Sequence, residues 1–269
     1  KKLWEVLICE SPNDIARSPD SLFKYAQYCS STTVNSLWLR EAIEKAIAEA
    51  ESSPQKIRFF RRQMNNMIVK ACEDVGITPV PSRRTYALNK WIEERIKDVY
   101  PQESGFDLKT ANIASVQYPP LNPIPLPDAV RGDQGDKWIF VSLAASDFDE
   151  MKEWDIAFEE SFALSLLDIA PNTIIPGLII YSPRANPLAA WMSGLEMGFL
   201  KLETELRPQL RLETSLSDSW TLVNLTSKET VKQAQDFEDA KQKANGAHFL
   251  AVQSSPDSES FAGFWLLKE

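Results

Sequence analysis

Histidine is almost missing: His248 is the single one in 269 residues, and cysteine is confined to Cys9, Cys29 and Cys72. One imidazole excludes any mechanism needing two, and a Ser-His-Asp triad could be built only around this ring. Three cysteines exclude a disulfide scaffold and a dense zinc site, and they fit a reducing compartment. No apolar run approaches the ~18 residues that cross a bilayer. The best one, residues 173–181, has the length of a buried strand and is interrupted by Pro176. Lys1-Lys2-Leu3-Trp4 shows no signal-peptide pattern. The phosphate-cradling and dinucleotide-binding glycine patterns are absent, and no Asp/Glu pair falls in a metal or hydrolase motif. The chain therefore reads as non-enzymatic, with no cofactor and no metal.

What is present has the balance of a soluble globular protein, with 43% hydrophobic and 25% charged residues. The length suits one large domain or two ordinary ones. Net charge is −9, from 29 basic and 38 acidic residues, so any nucleic-acid site must be a local patch. The charge is also unevenly spread. Residues 1–100 hold 16 Lys/Arg and 13 Asp/Glu, net +3; residues 101–269 hold the other 13 and 25, net −12. Between Lys56 and Lys97 stand ten basic residues against four acidic ones, Glu73, Asp74, Glu93 and Glu94. The first half thus carries the one surface suited to a polyanion. Five prolines crowd residues 119–127 and favour an extended path. The expected organisation is a basic α/β domain over 1–100, a Pro-rich linker over 101–136 and an acidic α/β domain over 137–269. Each would be a small mixed sheet with packed helices.

Periodicity places the elements. Leu3–Cys9 reads as a strand, and Ser36 opens a helix with Leu39, Ile43, Ala46, Ile47 and Ala50 on one face. Ile57–Phe59 reads as a short strand. A helix from Phe60 to Val75 stops at Gly76, and a third runs from Thr85 to Tyr100. In the second half 138–143, 177–181, 200–205, 210–214 and 220–225 look extended. A capping box at Thr226–Glu229 opens a helix to about Ala244, and 247–253 and 261–267 are strands.

Three segments could carry chemistry. Lys56-Ile57-Arg58-Phe59-Phe60-Arg61-Arg62 sets four cations around two aromatics, a composition suited to phosphates and unpaired bases. Equally, Phe59 and Phe60 could be core and the arginines a solvated face. Pro79-Val80-Pro81-Ser82-Arg83-Arg84-Thr85 puts two arginines at a helix N-terminus, where they oppose the dipole. That arrangement makes sense around an anion, or as a salt bridge to the acidic half. In Ser182-Pro183-Arg184-Ala185-Asn186-Pro187, Asn186 and Pro187 read as helix-start residues, with Arg184 in the loop and Trp191 beyond. Small residues there favour a tightly packed structural helix over a ligand site. His248, within an apolar strand, reads as a satisfied core group.

These segments, with Leu126-Pro127-Asp128, Arg131-Gly132, Pro183–Glu196, His248–Gln253 and Gly263–Leu267, occur in an order that resembles the Tab-two-like RNA-binding family of cyanobacteria and chloroplasts. The resemblance covers nearly the whole chain. It implies an RNA-binding protein that helps activate translation of a photosystem I reaction-centre subunit messenger through its single-stranded A/U-rich 5′ leader. It also implies residence in the chloroplast stroma or cyanobacterial cytoplasm, and contact with the ribosome or other translation factors. The matching basic and aromatic positions are Arg58, Phe59, Phe60, Arg61, Arg83, Arg84, Arg184 and Trp191. The charge argument adds Lys56, Arg62 and Lys90. Family members usually begin one strand earlier, so the first domain is expected to lack an edge partner. The acidic second half leaves an alternative open: an assembly factor that docks a basic protein.

Overall fold

The computed structural model describes residues 3–103, 122–132, 135–205 and 207–269. They form two compact mixed α/β units, one over residues 3–11 and 19–103, the other over 12–18 and from 122 onward.

In the first unit β1 (Leu3–Cys9) and β2 (Lys24–Ser30) pair antiparallel along their whole length. Helix α1 (Ser36–Glu49) starts at Asn35, whose side-chain oxygen accepts the Trp38 N–H at 2.9 Å. Its Leu39 and Ile43 meet Ala71 and Cys72 of α2 (Asn65–Asp74), with Val6 and Ile8 packed alongside. Helix α2 joins β3 (Lys56–Phe59) to β4 (Thr78–Pro81), and the two strands run parallel. Gly76 takes φ +75° after α2, a conformation that glycine reaches without a Cβ penalty. The β4 strand escapes the periodicity because Pro79 and Pro81 disguise it. Prolines are tolerated there because, among the described residues, β4 pairs with β3 alone and is an edge.

Helix α3 (Tyr86–Glu94) is shorter than the expected 85–100. A wide π-helical turn over Arg95–Val99 and a 3-10 turn over Tyr100–Gln102 follow it. Past α3, Arg95 forks onto the carboxylate of Glu5 in β1, and Tyr100 Oη donates to Glu5 Oε2 at 2.6 Å. Burial, with the Glu5 charge beside it, pushes the Tyr100 hydroxyl up from 10.0 to about 12. Because the folded value is raised, the contribution is complete below about pH 10 and disappears as pH climbs toward 12. Alkaline denaturation followed by circular dichroism should therefore show a falling stability limb in that window that is flatter in Tyr100→Phe.

In the second unit β5 (Ile124–Pro125), β6 (Lys137–Ala144), β7 (Ile156–Glu160), β8 (Ile174–Tyr181) and α4 (Ala185–Ser193) come first. They are followed by β9 (Met197–Glu203), β10 (Gln209–Thr214), β11 (Asp218–Asn224), α5 (Lys228–Lys243), β12 (Ala247–Gln253) and β13 (Phe261–Lys268). Five strands form one sheet in the order β6-β8-β12-β13-β7, and four form another in the order β5-β11-β10-β9. Leu188 and Met192 of α4, Leu200, Leu212, Phe237 and Trp265 fill the core between these elements. At Gly177 an added Cβ would lie 2.2 Å from the Phe249 ring, so that ring occupies the glycine's place. Pro176 lies one residue outside the β8–β12 ladder, which begins at Gly177. Part of the proline-rich stretch belongs to this body: Leu126 and Val130 are buried in the same core. Residues 104–121 and 133–134 of the expected linker lie outside the described residues.

The outer edge of β9 is closed by side chains instead of a strand. The Leu200 N–H donates to His248 Nε2 at 2.9 Å, and Lys241 Nζ donates to the Leu200 carbonyl at 2.8 Å. Leu202 N–H donates to Glu238 Oε1 at 2.8 Å. With Nε2 accepting, Nδ1 carries the proton and donates to the Gly246 carbonyl at 2.9 Å. His248 is therefore a neutral structural group, as its apolar strand implied. Lys241 is 1% exposed, and its ammonium also meets Glu238 at 2.7 Å and Glu269 at 2.5 Å. Lys241→Met should lower the unfolding free energy by about 2–3 kcal/mol in urea titration, below the ~3–5 of a fully buried pair because both carboxylates reach water.

Candidate nucleic-acid interface

Parallel strands deliver their carboxyl ends to one side, and in the first unit that side is basic. The register pairs Phe59 with Pro81, so the two strands finish together. From β3 the chain continues through Phe60 and Arg61 into a 3-10 turn over Arg62–Met64 that leads into α2. From β4 it continues through Ser82, Arg83 and Arg84 into α3. Arg61, Arg62 and Arg83 are thereby brought to one sheet end, beside the starts of α2 and α3. All three are half-buried. The Arg61 guanidinium lies 5.7 Å from the centroid of the half-buried Phe60 ring.

The remaining expected residues separate. Lys56 is exposed but opens β3, so it sits at the opposite end of the strand pair. Arg58 is half-buried within β3, and Phe59 is 6% exposed. Phe59 is thus a core residue, and Phe60 is the ring nearer solvent. Arg84 is 4% exposed, with its guanidinium 5.5 Å from the Tyr86 ring. Lys90 is half-buried about one turn along α3, past its start. Arg184 and Trp191 belong to the second unit, each with an internal role. Arg184 Nη1 donates to the Ala129 carbonyl at 2.6 Å, and Trp191 packs edge-on against Trp220 at 4.9 Å.

A recurrence that periodicity alone misses explains the arginines. Ser82-x-Arg84-x3-Leu88-x2-Trp91 and Ser182-x-Arg184-x3-Leu188-x2-Trp191 share one spacing. Both begin at the carboxyl end of a strand with a parallel neighbour. Ser82 N–H donates to the Phe59 carbonyl of β3 at 2.8 Å, and Ser182 N–H to the Gln253 carbonyl of β12 at 2.9 Å. Each serine Oγ then accepts the arginine N–H two residues on, at 2.9 Å for Arg84 and 3.0 Å for Arg184. Both serines are wholly buried. The hydroxyl turns the strand into the helix start, as Ser does in short local turns. Arg84 is buried beyond this turn, and Arg83 is half-buried.

Among the described residues no group of three His, Cys, Asp or Glu side chains could hold a metal, and no helix is long and apolar enough to cross a membrane. Removing a buried serine hydroxyl leaves an arginine N–H without its acceptor. Ser82→Ala and Ser182→Ala should each cost about 1–2 kcal/mol in denaturant unfolding.

Two family models match the chain in succession. The one described as RNA-binding protein Tab2/Atab2 N terminal matches residues 1–95, and the one described as RNA-binding protein Tab2/Atab2, C-terminal domain matches residues 113–268. The chain is 34% identical over 275 residues to the chloroplastic protein TAB2 homolog of Zea mays, covering 99% of this chain and 67% of that protein. It is 35% identical over 281 residues to the corresponding Arabidopsis thaliana protein, covering 99% and 70%. No solved structure gives a significant match.

Proposed function

The chain belongs to the Tab2-like RNA-binding protein family, and we propose that it holds single-stranded RNA on the basic end of the β3–β4 pair. The observation that carries this reading is the convergence of Arg61, Arg62 and Arg83 with the Phe60 ring where two parallel strands end. Guanidinium forks suit phosphate oxygens, and a ring beside them suits an unstacked base. The RNA is an A/U-rich messenger leader, and its binding helps begin translation of a photosystem I reaction-centre subunit. The site of action is the chloroplast stroma or cyanobacterial cytoplasm, without catalysis. Support for the setting comes from the chloroplastic relatives. The acidic half of the chain, net −12 over residues 101–269, suits a basic protein such as a ribosomal component and gives the second reading.

The test is fluorescence-anisotropy titration of a labelled A/U-rich RNA across salt concentrations. Three phosphate contacts predict a log–log slope near −2, at roughly 0.7 per contact on a single strand. Arg61→Ala/Arg62→Ala should flatten the slope by about 1.4 and weaken binding. A wild-type affinity independent of salt rejects the arginine site. RNA-independent capture of basic partners, with no RNA binding, favours the second reading.

A further inference from the structure

The second unit holds a cavity of about 560 Å³ that the phosphate-binding site does not use. Its walls come from the segment after β5, including Leu126, Asp128, Arg131 and Asp136, from Trp138 of β6, and from the end of β11 at Asn224. The volume lies within the usual range for a small-ligand site. The cavity contains most of the Leu126-Pro127-Asp128 and Arg131-Gly132 motif, which the arginine site leaves unexplained.

The walls are fixed in advance. Arg184 Nη1 pins the Ala129 carbonyl at 2.6 Å, and Val130 N–H closes a turn on the Pro127 carbonyl at 3.1 Å. Gly132 N–H donates to Asp136 Oδ1 at 3.2 Å. An added Cβ at Gly132 would meet Asp136 Oδ1 at 2.9 Å and the Pro183 ring at 3.1 Å, so the bare backbone is what lets this segment close on Pro183 and aim Asp136.

Among the described residues three ionised side chains, Asp128, Arg131 and Asp136, line the cavity, and they sum to −1. Arg131 is already paired with Asp128. That balance repels a phosphate. It suits a neutral flat ring bearing N–H donors: Asp136 keeps Oδ2 as an acceptor, and Trp138 gives an aromatic wall. The outer edge of β11 adds backbone groups. Among the described residues its ladder to β5 covers Trp220 and Thr221, and residues 222–224 line the cavity. Three residues make a short edge for adding a peptide strand, but they suffice for the donors and acceptors of one heterocycle.

We infer that this cavity takes an unstacked nucleobase, guanine in preference because N1–H and the N2 amine together match a carboxylate. The inference rests on the RNA-binding reading for its context. It assigns the second unit the reading of a base and leaves the phosphates to the first.

The test uses the full chain. Binding of guanosine 5′-monophosphate, ribose 5-phosphate and an extended octapeptide is measured by ligand-observed NMR and calorimetry. The variants are Asp136→Asn and Asn224→Trp, the second placing bulk at an exposed lining position; circular dichroism confirms their fold. Guanosine monophosphate should bind saturably and ribose 5-phosphate should not. Both variants should weaken nucleotide binding by about tenfold. They should also weaken RNA binding while leaving the salt slope unchanged, because no phosphate contact is lost. If the wild type takes the nucleotide but no RNA, the RNA reading fails and the cavity stands as a nucleobase site. Absent nucleotide binding, equal binding by the variants, equal binding of ribose 5-phosphate, or binding of the octapeptide in its place each overturns the inference.

Discussion

A serine hydroxyl at the end of a parallel strand decides where this protein's arginines point. In both units the hydroxyl accepts an arginine N–H two residues on, while the serine's own N–H closes onto the last carbonyl of the neighbouring strand. The turn is therefore bonded from both sides and buried. A strand-to-helix connection with those bonds has little freedom, so the following side chains have fixed destinations. One arginine of each turn is spent on architecture: Arg84 against Tyr86, and Arg184 on the Ala129 carbonyl. The residue between serine and arginine is the variable one. It is Arg83 in the first unit, where it adds to the basic end, and Pro183 in the second, where its ring packs against Gly132.

A second constraint governs the larger unit. An edge strand exposes a row of N–H and C=O groups, which other chains can pair with. At β9 that row is closed by His248, Lys241 and Glu238. The cost is a buried ammonium, and it is offset because Lys241 finds two carboxylates and a carbonyl at once. The same contacts tie β9 to α5 and β12, so they join the two sheets as well as block an edge. The single histidine is thereby accounted for without catalysis.

Most elements were legible from periodicity, including α1, β3, β8, α5, β12 and β13. Their apolar spacing is strong, although the caps fall at Asn35 and Ser227, one residue before Ser36 and one after Thr226. The strands that escaped had a physical reason to. Two prolines mask β4, two residues make up β5, β7 is five residues at a sheet edge ending in two glutamates, and β2 mixes Lys24, Gln27 and Ser30 into its run. The third helix was overextended because its apolar spacing continues through the wide turn at Arg95–Val99. Of the site, the basic character was readable, but its geometry was not. Charge counting groups Lys56 with Arg61, whereas strand direction puts them at opposite ends of the pair. Composition likewise cannot tell Phe59 from Phe60; the alternation of a strand that buries one face does, and it selects Phe59 for the core. The Ser-x-Arg spacing was present in the sequence all along. It became meaningful only once both copies were seen to follow strands with parallel partners.

The charge asymmetry then acquires a division of chemistry. A polyanion needs cations, and on the proposed reading three arginines at one sheet end supply them. The ring of a base is not anionic, and its exocyclic amines are better met by carboxylates than by more cations. A surface that was basic throughout would bind any phosphate chain, without regard to its bases. On the inference drawn above, acidic groups at the rim of an open cavity beside Trp138 disfavour the backbone and admit a ring that has left the stack. Asp136 is placed for this in a segment pinned by Arg184, whose own placement follows from the Ser182 hydroxyl. The acidity of the second half is in this sense compatible with RNA recognition: it excludes phosphate from the place where a base would be read.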